Sequence, residues 1–266
     1  MEKRYTGLVI FNTITLIIML FANYAGSTGY FLKATVAEVS YKFDTLFAPA
    51  GYAFVIWGLI FLFCISFVIC QWILLRNKDS HQYIQRTGLW FSIGNLANAA
   101  WVYCWTSEMM GLSVILILLL LLSLILLTIS LRLELDDVPV RNIFFVWWPV
   151  TFYLGWIMVA SIACIAAWLK SISWNGFALP GNTWTIILII ISSILYLLLI
   201  RNRNMREAAI VGAWAFIAIA VKQSDLNKDI SIAAVIAASC LLLASVIHVY
   251  KNRKYNIFSK LQRGEW

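Results

Sequence analysis

An amide and two indoles recur at Asn98, Trp101 and Trp105, the i, i+3, i+7 spacing that places side chains on one helix face. A second stripe runs through Tyr153, Trp156, Ala160 and Cys164, with Trp168 one turn further on. A third pairs Trp57 with Phe61, one turn beyond Ala53, inside an apolar run opened by Pro49 and Gly51. These side chains offer π faces, N–H and O–H donors and a single amide, which suits recognition better than proton transfer. Counted from the ends of their apolar runs, Trp57, Trp101 and Trp156 lie deeper than the interfacial belt where membrane tryptophans concentrate. A buried indole needs an acceptor for its N–H, so these three should face one another or a bound molecule. Two readings follow: aromatic helices packed tightly together, or a mostly apolar cavity for a flat conjugated ligand.

Catalytic constellations are missing. There is no HExxH, no P-loop and no serine–histidine–acid set, and the two histidines read as structural, His81 in a basic loop and His248 near the end of the last apolar run. The five cysteines all fall inside apolar runs without metal-ligand spacing and read as small buried hydrophobes. No Asp or Glu stands deep in a run, which argues against a proton relay or an ion-coupled pump. The residues point to binding rather than to an enzyme.

The elements that must hold these stripes are membrane helices. Of 266 residues, 62% are hydrophobic and 12% charged, against about half and about a quarter in a soluble domain. Uncharged runs occur at 6–24, 48–75, 88–106, 111–131, 143–169, 183–200, 207–221 and 230–250, and about 20 apolar residues span a bilayer. The fold class expected is an all-α integral membrane protein with about eight transmembrane helices, the seventh weakest because Glu207 opens a short run. The first run is too long, and Tyr24 too bulky, for a cleaved signal peptide. Of the 20 Lys and Arg, only Lys33, Lys42, Lys170, Lys222 and Lys228 fall on one side; the rest lie on the side of the N-terminus. That asymmetry predicts both termini in the cytoplasm, and it assigns the +8 net charge to topology and anionic headgroups, not to nucleic acid. The outer loop 25–47, with Tyr30, Phe31, Tyr41, Phe43 and Phe47, should pack over the helix ends. Trp90, Trp147, Trp148, Trp174 and Trp184 should form the interfacial belt, and the tail 251–266, with Tyr255, Phe258, Leu261 and Trp266, should lie along the membrane surface.

In order and spacing these residues resemble the TspO/translocator proteins, the tryptophan-rich sensory family. That family's second helix opens at a proline-rich stretch and continues W-x-x-x-Y; Pro49 and Trp57 match, and Phe61 stands at the tyrosine. Its N-x-x-W is matched by Asn98 and Trp101, with a fourth helix following from Gly111. Its fifth helix reads P-Y-x-x-W-x-x-x-A-x-x-x-N-x-x-x-W. Tyr153, Trp156, Ala160 and Trp168 fall in step, Cys164 replaces the asparagine, and Pro149 is displaced by three residues. The resemblance covers residues 1–172 and implies a five-helix TspO-like core, three further transmembrane helices over 173–250 and a basic cytoplasmic tail over 251–266, as in longer bacterial members.

The resemblance implies a sensor or regulator in the bacterial inner membrane. Its ligand would be a porphyrin or haem-type tetrapyrrole, or a sterol-like lipid, held by Pro49, Trp57, Phe61, Asn98, Trp101, Trp105, Tyr153, Trp156, Ala160 and Cys164. Phe61 and Cys164 each delete a polar group from the family pattern, which favours an apolar, flat ligand. A carrier of such a ligand, a structural subunit of a larger membrane complex, and photochemical degradation of porphyrin are the competing implications. Expected partners are the small hydrophobic ligand, the lipid membrane and a homodimer mate or complex subunit.

Overall fold

The computed structural model describes residues 2–30, 32–76, 81–253 and 257–266; Phe31, Lys78, Lys254, Tyr255 and the side chain of Phe258 lie outside the described part. Every apolar run forms a helix: α1 (Glu2–Thr28), α2 (Ile56–Leu74), α3 (Trp90–Thr106), α4 (Met110–Ser130), α5 (Trp148–Ser171), α6 (Gly181–Arg203), α7 (Arg206–Gln223) and α8 (Lys228–Lys251). Short helices over Val36–Lys42, His81–Thr87 and Ile257–Gln262 lie between or after them, and no strand occurs among the described residues. Six segments are long and apolar enough to cross a membrane: Lys3–Thr28, Gly51–Leu74, Met110–Ser130, Val140–Ser171, Gly181–Arg203 and Lys228–Lys251. The chain is an integral membrane protein. The two other helices differ for a physical reason. α3 is 17 residues long and buries Ser92, Asn95 and Asn98, while α7 carries Arg206, Glu207 and Lys222 within 18 residues. Both bury more than half of their residues against their neighbours, although Tyr103 on α3 and Val221 on α7 remain exposed.

The first five helices pack as a ring in the order α1, α3, α4, α5, α2, with α2 closing back on α1. The last three form a second unit in which α7 lies against α6, α8 and α5 and also touches the turn that precedes α2. Small residues permit this closeness. A Cβ on Gly155 would sit 2.9 Å from the Ala208 carbonyl oxygen, and one on Gly212 would sit 2.5 Å from the Tyr196 ring. Where lipid supplies no hydrophobic drive between helices, such backbone approach is the main source of association. Tyr196 adds a hydrogen bond from its hydroxyl to the Gly155 carbonyl at 2.6 Å.

Helix starts follow from proline. Pro49 is buried one residue before the cap Ala50, and a 3-10 turn over Gly51–Val55 leads into α2. Pro149 lies in the first turn of α5, behind a π turn over Ile143–Trp147. Between α6 and α7, Asn204 adopts the left-handed conformation (φ 57°), and Met205 N–H reaches back to the Leu199 carbonyl at 3.2 Å, a Schellman-type stop.

Several expectations are corrected. α1 continues to Thr28, so the outer connection is shorter and holds the helix Val36–Lys42. Trp147 is buried in the core rather than in the belt, because the wider π turn rotates it inward. Cys240 is exposed on α8 instead of buried. The tail docks on the α4–α5 connection: Lys260, only 3% exposed, bonds the Asp137 carboxylate and, at 2.8 Å, the Val138 carbonyl. Val140 N–H donates to the Glu265 carbonyl at 2.9 Å.

Candidate functional site: an aromatic cluster edged with amides

α2 and α5 meet through rings. Trp57 stacks on Phe61 (centroids 5.4 Å apart, planes at 27°), meets Tyr153 edge-on at 5.9 Å and meets Trp156 edge-on at 6.3 Å. Phe54, from the turn before α2, closes on Trp156 at 5.7 Å. Four of the expected residues are thus brought together, with Tyr153 and Trp156 each 1% exposed. Trp101 and Trp105 stack on one another on α3 instead (5.4 Å, 24°). They join the cluster indirectly: Cys164 on α5 has the Trp101 indole as its polar neighbour, and Asn98 neighbours the Tyr153 hydroxyl. That hydroxyl also points at the Met19 sulfur, 3.6 Å away. Ala160 is half-buried on the same helix, and Pro49 shapes the approach to α2 without a ring contact of its own.

Hydrogen bonding at the cluster is incomplete. Trp105 N–H donates to the Val36 carbonyl at 3.2 Å, which ties α3 to the outer helix. Among the described residues the buried indole N–H of Trp156 has no acceptor, while the Trp101 indole and the Asn98 amide nitrogen have only the Cys164 sulfur and the Tyr153 hydroxyl beside them. Desolvating a donor without a partner costs about 1–3 kcal/mol.

The Asn98 oxygen belongs to a polar ladder that the sequence reading missed. Asn23 on α1 donates to it at 2.6 Å. Deeper in, Asn95 donates to Thr15 at 3.4 Å, Thr15 to Ser92 at 3.2 Å, Ser92 to Asn12 at 2.6 Å, and Asn12 to Gln71 of α2 at 2.9 Å. The ladder fastens α1, α2 and α3 on one side of the ring. Its signal was present in Ser92, Asn95 and Asn98 at successive i+3 steps, of which only Asn98 drew notice.

Trp214 was missed as well. Its N–H donates to the Ala53 carbonyl at 3.1 Å, and its ring meets Tyr52 edge-on at 5.5 Å, so α7 walls the cluster from behind the α2 turn. The rest of α7 clamps the outer connection. Ala50 N–H reaches the Ala218 carbonyl at 3.1 Å, Gln223 donates to the Leu46 carbonyl at 3.0 Å, and Lys222 pairs with Asp44. Lys170 of α5 caps the Asp44 carbonyl, and Lys42 pairs with Glu108 of the α3–α4 turn. Val39 and Phe47, each 1% exposed, point inward, so this part of the connection packs over the helix ends, whereas Tyr30 and Tyr41, expected to pack there too, are exposed.

At the opposite, basic end, Glu207 is buried and Glu134 half-buried, and each has a buried carboxylate oxygen without a partner among the described residues. Arg206 pairs with Glu207 at 3.1 Å, and Asn204 donates to the Glu134 carbonyl at 2.9 Å. Burial, and after it the neighbouring Glu207 charge, holds the Glu134 carboxyl well above the usual carboxylate range. His248 bonds Asn204 at 3.0 Å and Asn252 at 2.9 Å, a structural role. No group of three or more His, Cys, Asp or Glu suited to a metal ion exists among the described residues.

A polytopic helical bundle with stacked indoles and buried amides at its centre defines the class: a helical membrane protein with an aromatic interior. The model of the family described as TSPO-like protein matches residues 9–247, and the chain belongs to that family. The match runs through α8 and so takes in the C-terminal helices as well as the five-helix ring. Comparison with the curated proteins and with the solved structures found no match.

Proposed function

We propose that this protein is a membrane sensor or regulator that binds a flat hydrophobic molecule, a tetrapyrrole or a sterol-like lipid, at the Trp57–Trp101–Trp156 centre. The observation that carries this reading is the buried Trp156 indole N–H without an acceptor among the described residues, together with the weakly satisfied donors of Trp101 and Asn98, beside stacked rings. A planar ligand with rim oxygens would offer its face to Trp57, Phe61 and Trp156 and its acceptors to those donors. Trp105, Tyr153, Ala160 and Cys164 would flank it, and Pro49 would set the α2 turn beside it. Nothing in this set transfers a proton or activates a nucleophile, so binding and not turnover is the proposed activity. The clamp from α7 to residues 44–53 gives the C-terminal helices a part in closing the site, which favours a self-contained receptor over a structural subunit.

In the same reading α3 and α7 cross the membrane with the other six helices, so both termini share one side, which would be the cytoplasm of a bacterial cell. The basic asymmetry of the loops supports this orientation. The test of function is titration of nanodisc-embedded protein with protoporphyrin, followed by the Soret band and by tryptophan quenching. Saturable binding should weaken in Trp57→Ala and Trp156→Ala by about 0.5–1.5 kcal/mol for each lost ring pair, beyond lost burial. Trp174→Ala should leave it unchanged. Equal losses in all three variants would sink the reading.

A further inference from the structure

Away from the aromatic centre, the basic end of α2 carries two surface clefts. One, of about 460 Å³, is lined by Thr6, Ile69, Trp72, Ile73, Leu75 and Arg76. The other, of about 480 Å³, lies across the Ile69–Ile73 ridge, which also lines it, and has Phe145, Arg141 and Trp266 as its far wall. The ridge is exposed, Ile69 at 55% and Ile73 at 61%. Each cleft therefore joins an aliphatic wall, an indole and one guanidinium. Trp72 is fixed in place by donating to the Thr13 hydroxyl at 3.0 Å.

The arginines decide what fits. Neither Arg76 nor Arg141 has a carboxylate partner among the described residues. Of the acids at this end, Asp136 is engaged by Arg86 and Arg132, Asp137 by Lys260, Glu265 by Lys260 and Arg263, and Glu207 by Arg206. A guanidinium binds phosphate through paired N–H donors, and indoles settle at headgroup level. A neutral amphiphile would use the wall and leave the charge unmet. A zwitterionic lipid would bring its own cation toward the arginine. We propose that the two clefts flanking the basic end of α2 bind anionic phospholipid, with an acyl chain along Ile69 and Ile73 and the phosphate on Arg141 in one cleft and on Arg76 in the other. The site is separate from the aromatic centre and independent of what binds there.

Native mass spectrometry of the full chain in mild detergent, offered equal phosphatidylglycerol and phosphatidylcholine, tests this. The wild type should retain phosphatidylglycerol with a roughly fivefold preference per site, the gain expected of one basic residue near an anionic headgroup. Arg76→Gln with Arg141→Gln should bring the ratio close to unity. Arg141→Lys should keep part of the preference, and Arg201→Gln, an exposed arginine outside both clefts, should keep all of it. Ser66→Leu fills the second cleft with its charge intact and should remove one retained lipid, whether or not the arginine variants fold well. The proposal is overturned by equal retention of both lipids in the wild type. It is equally overturned if Arg201→Gln lowers the ratio as far as the double variant, which would mean diffuse surface charge. Displacement of the lipid by glycerol phosphate alone, or a second copy of the chain retained in its place, also overturns it.

Discussion

Replacing Asn12 by Leu should destabilise the bundle more than its single side chain suggests. Asn12 is fully buried, donates to Gln71 at 2.9 Å and accepts from Ser92 at 2.6 Å. Hydrogen bonds between membrane helices average about 0.6 kcal/mol each, with a maximum near 1.7. Ser92 would keep its contact with Thr15, but the Gln71 amide, whose nitrogen already has no partner, would lose its remaining bond. Stranding that oxygen adds about 1–3 kcal/mol. The single variant should therefore lose about 2–4 kcal/mol, and Gln71→Leu, which leaves the Asn12 amide nitrogen unpaired, a similar amount. Asn12→Leu combined with Gln71→Leu removes both partners, so the cycle should close with a coupling of about 1–2 kcal/mol and the double variant should lose less than the sum. Reversible unfolding in mixed micelles, titrated with dodecyl sulfate and followed by circular dichroism, gives all four values. Strict additivity would refute the reasoning, because it would mean that the two amides do not share a bond.

Three further outcomes follow from the same geometry. Glu134 binds a proton in the folded state at pH values where the unfolded chain, with its carboxyl near 4.5, has released it, so stability should fall as pH rises from about 4.5 through the raised folded value. Glu134→Gln removes that fall; its apparent melting temperature in detergent should gain on the wild type across this window, and parallel curves would contradict the assignment. Gly155→Ala places a Cβ 2.9 Å from backbone oxygen and should destabilise by about 1–3 kcal/mol, as overpacking does, whereas an unchanged melting temperature would mean that α5 and α7 are less tightly apposed. Lys222→Met breaks the ion pair with Asp44, so trypsin should cut near Lys33 and Lys42 faster, with protoporphyrin restoring protection. Cleavage indifferent to both the variant and the ligand would remove the outer connection from any closing role.

How far the molecule could be read from its sequence depended on the range of the forces. Helix formation is local, and all eight long helices were legible as apolar runs, six of them long and apolar enough to cross a membrane. The shared faces of Trp57 with Phe61 and of Tyr153 with Trp156 were legible too, because spacing within a helix fixes a face. Relations across helices were harder to see. Asn12, Gln71 and Asn95 look like isolated polar residues until α1, α2 and α3 come together. Trp101 was expected beside Trp57, yet its nearest ring is Trp105, one turn away on its own helix. The π turn before Pro149 shifts faces relative to a regular count and hides Trp147. α7 looked weak as a span because Glu207 opens a short run, and Trp214 went unnoticed. Lys260 read as a surface cation because its partner, Asp137, lies more than a hundred residues earlier in the chain.

The central claim is that buried donors around stacked rings hold a flat ligand, and indole N–H spectra test it most directly. Nitrogen-15 labelling of the 13 tryptophans, assigned by single Trp→Phe variants, resolves each N–H before and after protoporphyrin is added. Trp184, bonded to the Gly176 carbonyl at 2.7 Å, and Trp214, bonded to the Ala53 carbonyl at 3.1 Å, serve as internal references. The account predicts saturable downfield shifts for Trp101 and Trp156 as they gain acceptors, while the references hold nearly still. Saturable binding that leaves Trp101 and Trp156 unmoved would contradict it and place the ligand elsewhere on the protein.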